Sequence, residues 1–567
     1  MNDTVRGEEQ LSPVDLYEKV KDVPTNEKVE IITKTLVGIK SVNGTYGEVE
    51  IANYLIDFIK QIPYFDAQPE RLWEQGLQGD HLGRKNVFAL IKGKQESNKT
   101  VLYHSHMDTV GVDDFGSNQE AAFKPDVLTE QFAEQDYDEE LKKLAQSGEW
   151  MFGRGSVDMK SGIAVHLVNL MYFSEQVEHL NGNVLVMFNP VEENEHTGVI
   201  ESVNELLKLR DVQGYEFVLG INNDFVTSLY EGDQNRYIYT GAVGKLLPCF
   251  YIYGREAHVG ETLTSVDPTL ISATINRNIN NNMDLAEEIQ GELVLPPSCL
   301  YQRDQKDFYN VQTALSSQLY FNYFVYKDSP QDVMNKLIEK AKEACVEVEE
   351  HMVEQHRKFS HVTEMPTSNS LSWNINIYSY DEYIDQLTEK GIDVEGVCDR
   401  VVAENSGLEK RELCFQIVEA LQLADPDKTP KVIIFFAPPY CPHNYLREEV
   451  GTEKEIIDHI NEVLSEYEQK TTETFKVKKF FPFLSDSSYL SLHESDHEIE
   501  SLIDNFPKWE EIYPVPVHDI RSLNIPSINM GVYGQDAHQR TERVYKPYTF
   551  GTLPFIIRAL TEKVLNN

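Results

Sequence analysis

Apolar residues recur at helical spacing in "EKVEIITKTLVGI" (residues 27–39) and "GEVEIANYLIDFIKQI" (47–62), whereas "KNVFALIKG" (85–93), "KTVLYHSH" (99–106) and "GNVLVMFNPV" (182–191) are short runs rich in β-branched residues. Over the first 240 residues these two patterns alternate. The alternation predicts an α/β domain, a mixed and largely parallel sheet flanked by helices. Further on, "SVDPTLISATINRNI", "TALSSQLYFNYFVYKD" and "DVMNKLIEKAKEAC" read as helix, strand and helix, the makings of a smaller α+β unit. Between 351 and 470 the chain turns polar, acidic and helix-prone around one strand-like run, "KVIIFFAPP". The expected division is therefore 1–240 and 471–567 for one domain, 241–350 for an inserted α+β domain, and 351–470 as an additional insertion without assignment.

A length of 567 residues exceeds what one core usually supports. With 51 Lys+Arg against 93 Asp+Glu the net charge is −42, which repels phosphate backbones and anionic lipid. Nucleic acid and membranes are thereby disfavoured as partners. The first residues, "MNDTVRGEEQLSP", have no basic stretch ahead of an apolar one, and no segment approaches the roughly 18 apolar residues of a membrane span. A soluble cytoplasmic protein is expected. The six cysteines show no CxxC spacing, so reduced packing residues are expected rather than disulfides or thiolate metal sites.

Against this background three strand ends carry candidate chemistry. "HSHMDTV" (104–110) sets two histidines and an aspartate after a strand, "WMFGRGSVDMKSG" (150–162) surrounds Asp158 with small residues, and "FNPVEENEHTG" (188–198) places Glu192 beside Glu193. Each has an ordinary reading as a strand-end histidine, a turn aspartate or a solvated loop. Together they offer imidazole and carboxylate donors for a divalent ion, a carboxylate able to bridge two ions, and a spare carboxylate to move a proton.

"HSHMDTV", "GRGSVDMKSG", "PVEENEHTG" and, near the other end, "INMGVYGQDAHQRTERV" resemble in order the four signature blocks of the co-catalytic zinc hydrolases. That family includes aminoacylases, acetylornithine deacetylases, succinyl-diaminopimelate desuccinylases, glutamate carboxypeptidases and tripeptidases. The long chain looks most like the bacterial arginine-utilisation members. The resemblance implies two divalent ions, zinc above all with cobalt or manganese as alternatives, held by His106, Asp158, Glu193, Asp224 and His538. Asp158 would bridge the ions, and Asp224 is preferred over nearby Glu216 as the final ligand. Asp108 would orient His106. Glu192 would take the proton from an attacking water and return it to the leaving amine, giving hydrolysis of an amide in a peptide or N-acyl amino acid. His104 falls outside the pattern and is expected to be a strand residue hydrogen-bonded to sheet or loop. The family also implies a cis bond between Asp158 and Met159. A non-catalytic member that binds an amino-acid ligand or a protein is the alternative.

The chain departs from the family in three places. "TEQFAEQDYDEELKKLAQSGE" (129–149) looks like an inserted amphipathic surface helix, the acidic pair is followed by a longer loop before its glycine, and the second domain is enlarged. Arg277 and Asn280, with Arg255 and Asn278, are candidates to bind a substrate carboxylate. His258 in "YGREAHVGE" resembles the histidine that in dimeric relatives stabilises the oxyanion in the partner's site, which implies a homodimer; a monomer with an enlarged lid is the other expectation.

Overall fold

The computed structural model describes residues 10–364 and 373–566, so residues 1–9, read above as lacking a leader, lie outside the described residues. The chain forms two compact units. The first comprises Met1–Ala242, Asn444–Leu492 and His518–Asn567, the second Val243–His443 and His493–Val517.

The first unit is built on an eight-stranded sheet. Its strands are β1 (Leu72–Gly76), β2 (Lys85–Lys92), β3 (Lys99–His106), β4 (Asn183–Asn189), β5 (Glu216–Asn222), β6 (Asn235–Tyr239), β7 (Thr474–Lys478) and β8 (Ser527–Asn529), in the order β1-β2-β4-β3-β5-β8-β6-β7. β3 runs parallel to both β4 and β5, and β8 parallel to β5, while β1, β2 and β6 introduce antiparallel pairings. The mixed, largely parallel sheet expected from the alternation is present. β4 is buried along its whole length, as strands covered on both faces must be. Helix Gly47–Ile59 buries Val49, Ile51, Ala52, Leu55, Phe58 and Ile59, and helix Ser161–Glu175 is buried on nearly every side. Each large apolar side chain so covered contributes about 1.5–3 kcal/mol.

The stretch 129–149 differs from expectation. It forms two helices, Pro125–Glu134 and Glu139–Gln146, which fold back on one another and close a small core of Phe115, Leu128, Phe132, Leu141, Ala145 and Phe152. The amphipathic stripe thus serves local packing instead of marking a single solvated helix.

In the second unit, strands run in the order Ser298–Asp304, Ser316–Val325, Pro248–Tyr253, Lys431–Phe436, Asn376–Ser379. Helix Pro268–Ile279 and the long helix Pro330–Val362, started by a Ser329/Asp332 capping box, complete the α+β arrangement. "KVIIFF" finds its place here, antiparallel to Pro248–Tyr253. The expected insertion 351–470 is divided: its part up to His443 belongs to the second unit, while Asn444–Tyr445 pair with Gly241–Ala242 in the first. Residues 493–517, expected in the first domain, belong to the second. There the Phe436 N–H donates to the Asn505 carbonyl at 2.8 Å, and Phe506, Trp509, Tyr513 and Tyr440 pack their rings together. All six cysteines are free. Among the described residues no helix is long and apolar enough to cross a membrane.

Candidate metal centre

The parallel strands β3, β4 and β5 end on one side of the sheet, and the loops that leave them carry the motif residues. His106 closes β3, Glu192 and Glu193 follow β4 by a few residues, and Asp224 follows β5. Glu216, the alternative to Asp224, begins β5 and so lies at the opposite end of that strand. Asp158 comes from the turn ahead of helix Ser161–Glu175, joined to Met159 by a cis bond as expected. His538 arrives from the C-terminal segment in a left-handed conformation, φ 65°.

These residues form two clusters that share Asp158. His106, Asp158 and Asp224 present donor atoms within 4.8 Å of one another, and so do Asp158, Glu193 and His538. His106 Nε2 lies 3.0 Å from Asp158 Oδ1, His538 Nε2 lies 3.0 Å from Asp158 Oδ2, and the same His538 nitrogen is 3.1 Å from Glu193 Oε1. His106 Nδ1 is 3.1 Å from the main-chain carbonyl of Asp108. A carbonyl only accepts, so Nδ1 carries the proton, and in the neutral ring Nε2 is left with its lone pair toward Asp158, as a metal ligand requires.

Crowding of acids shows in their protonation. Burial, with Asp158 beside it, pushes the Asp224 carboxyl up to about 8, and burial likewise raises Glu193. Burial opposes charge on His538, but its pairing with Asp158 and Glu193 lifts it to about 11. Carboxylates this close repel one another unless positive charge lies between them. Imidazole and carboxylate donors in two sets of three with one common carboxylate fit two divalent cations.

Asp108 meets His106 as expected, through its carbonyl, and its carboxylate has further partners. The carboxylate stands 3.7 Å from His106 Nδ1 and is engaged by the N–H groups of Glu192 at 3.1 Å and Glu193 at 3.0 Å, and by Asn43 Nδ2 at 2.7 Å. The carbonyl of Asp108 orients the imidazole, and its side chain fixes the loop that carries both glutamates. Glu48, which the sequence did not single out, accepts the Val191 N–H at 3.1 Å and pairs with Arg84 at 3.1 Å. Val191 needs that hold, since it sits at φ 70°, where a β-branched residue is strained. Gly198 follows from the same tight loop, because a Cβ there would stand 2.3 Å from the Pro190 carbonyl oxygen.

Glu542 was also missed, although it lies only four residues after His538. It accepts the N–H groups of Val157 at 3.2 Å and Asp158 at 3.3 Å, and its other oxygen receives Arg154 at 2.7 Å. Beneath the centre, segment 485–488 adds polar contacts that nothing in the motifs signals. Ser485 receives Asn222, Asp486 receives Asn189 and lies 2.9 Å from His196 Nδ1, and Ser487 meets His104 at 3.2 Å. His104 is thus a strand residue bonded to a loop, as expected.

Residues 102–545 match the peptidase family M20/M25/M40. The chain belongs to this family. It is 51% identical over 551 residues to Protein RocB of Bacillus subtilis, covering 97% of each chain, and 30% identical over 548 residues to the uncharacterized protein YqjN of the same organism, covering 95% of this chain and 97% of that one. Among solved structures, a tripeptidase from Staphylococcus aureus matches with a TM-score of 0.50 at 13% identity, over 96% of this chain and 99% of its own. The M20 family metallo-carboxypeptidase Sso-CP2 from Sulfolobus solfataricus matches with 0.51 at 12% identity, over 95% and 100%. These likenesses are of fold. Membership in the M20 family makes the protein a metal-dependent hydrolase and agrees with the resemblance read from the four motifs.

The remaining M20 site candidates belong to the second unit. His258 stands on an exposed loop, its Nδ1 accepting the Gly260 N–H at 3.2 Å. Arg277 pairs with Glu347, which also receives Asn278 at 3.1 Å. Asn280 accepts the Cys299 N–H at 2.8 Å, and Arg255 donates to the Thr264 carbonyl at 3.0 Å. Each of the five has a partner within its own unit.

Proposed function

We propose that the protein is a cytoplasmic amidohydrolase that cleaves a peptide or N-acyl amino acid with two zinc ions. Arginine utilisation is the setting that the sequence resemblance implies. The observation that carries this reading is the sharing of Asp158 between two three-residue donor sets. His106 and Asp224 would hold one cation, Glu193 and His538 the other, and Asp158 both. Bound divalent ions supply Lewis acidity, which lowers the pKa of water and polarises an amide carbonyl.

Glu192 does the proton work. Asp108 fixes its main chain, its carboxyl is largely buried, and burial pushes its proton affinity well above that of an ordinary glutamate, with His106 and His196 pulling the other way. A carboxylate so placed accepts the proton of the attacking water and delivers it to the departing amine. His258 is the proposed donor to the developing oxyanion, and Arg277 and Asn280 the proposed readers of a substrate carboxylate.

The test is turnover of a panel of N-acyl amino acids, dipeptides and tripeptides by protein loaded with zinc, cobalt or manganese, alongside metal analysis. Amide cleavage that depends on two ions per chain is expected. Two bound ions without turnover of any member would favour a non-catalytic binding protein.

A further inference from the structure

The loop that carries Glu192 doubles back on itself. The His196 N–H donates to the Val191 carbonyl at 2.8 Å, and His196 itself takes a left-handed conformation, φ 56°, at the start of helix Thr197–Asp211. This closure returns the imidazole to the glutamate, with Nδ1 at 3.8 Å from Glu192 Oε1. The same Nδ1 is 2.9 Å from Asp486 Oδ1, while the other Asp486 oxygen accepts the Asn189 amide. His196 and Asp486 are both almost wholly buried, and the Tyr489 ring lies 5.3 Å from the imidazole centroid. A carboxylate can only accept from Nδ1, so the Asp486 contact fixes both the tautomer and the plane of the ring.

The geometry points to His196 and Asp486 as positioning residues for Glu192: the aspartate locks the imidazole, and the locked ring, its Nδ1 edge 3.8 Å from Glu192 Oε1, limits by packing and charge the positions open to the glutamate carboxylate. This rests on the proposed role of Glu192. Asp108 fixes the main chain of residue 192, but that leaves the side-chain rotamers free, and a proton shuttle loses rate when its carboxylate wanders by about an ångström. Glu192, His196 and Asp486 also lie close enough to hold an ion. An ion held by these three residues in place of the Nδ1–H is the competing arrangement, which the zinc count separates from this one.

Zinc-loaded wild type, His196→Leu, His196→Asn, Asp486→Asn and Glu192→Gln would be compared for zinc content, for kcat and KM on a substrate found in the panel, and for the downfield proton resonance of the His196 Nδ1–H. His196→Leu should lower kcat about 10–100-fold, the usual effect of removing such a support, with KM and two zinc ions per chain unchanged. His196→Asn, which restores an N–H near the Nδ1 position, should recover most of that loss. Asp486→Asn should lower kcat and move the Nδ1 proton upfield, whereas Glu192→Gln should leave that resonance in place. If His196→Leu does not fold, His196→Asn and Asp486→Asn carry the comparison through the proton shift and kcat. Wild-type kcat in His196→Leu or Asp486→Asn, or a loss appearing in KM alone, would overturn the positioning role. So would a third zinc equivalent that Asp486→Asn removes. Full turnover by Glu192→Gln would instead overturn the proposed function, and an inactive Glu192→Gln beside a fully active His196→Leu would sink this inference alone.

Discussion

His538 Nε2 lies 3.0 Å from Asp158 Oδ2, a pairing between the C-terminal segment and a turn in the first third of the chain. Because Asp158 also meets His106, it is the only residue common to both donor clusters. Replacing it should therefore cost more metal than replacing either neighbour. His538→Ala or Glu193→Ala should bind one divalent ion per chain where the wild type binds two, and Asp158→Ala should bind neither, as read by elemental analysis after dialysis. Chelation of the wild type should lower its melting temperature, since a ligand at 100 times its Kd adds about 2.7 kcal/mol to the folded state.

Glu192 precedes Glu193 in the chain without belonging to either of the two donor clusters that share Asp158. Glu192→Gln keeps the shape of the side chain and removes its basicity, so kcat should fall roughly 10²–10⁴-fold while zinc content stays at the wild-type level. Steady-state kinetics with parallel metal analysis checks both halves.

Arg154 and Glu542 form an ion pair at 2.7 Å with both side chains about 1% exposed. Removing one member leaves a buried charge alone, which typically costs about 3–5 kcal/mol. Arg154→Met should lower the free energy of unfolding by that order in urea titrations. It should also weaken metal binding, because Glu542 holds the main chain of Asp158.

Asp425 offers a test by pH in the second unit. Burial resists its charge, but Lys431 at 2.6 Å, the Asp427 N–H and Lys390 at 3.0 Å outweigh it and hold the carboxyl at about 2, below its ordinary 3.8. A carboxyl lowered on folding stabilises above its unfolded pKa and loses that effect as pH falls through the folded one. Asp425→Asn should thus melt below the wild type at pH 7. The gap should stay constant down to about pH 4 and close as pH falls from 3.8 toward 2. A gap independent of pH over that window would refute the ionic origin of the effect.

Local pattern was enough for much of this protein. The β-branched runs at 85–93, 99–106 and 182–191 became β2, β3 and β4, and the helical spacing at 27–39 and 47–62 became helices Thr25–Val37 and Gly47–Ile59, because burial on a covered sheet selects those periodicities residue by residue. The family, too, was legible, since its motifs are short and contiguous. What the sequence could not show depends on contacts between distant segments. The carboxylate of Asp108 accepts from Glu192 and Glu193 besides neighbouring His106, Asp486 reaches His196, and Glu542 supports Asp158. None of these pairings has a periodicity or a spacing. Residues 351–470 likewise read as one acidic stretch, yet the backbone hydrogen bonds of Lys431–Phe436 are met by Pro248–Tyr253 and those of Asn444–Tyr445 by Gly241–Ala242. Strand partners are chosen by the tertiary fold, in which each buried N–H and C=O must find its complement, and that choice assigned the segment to two different units.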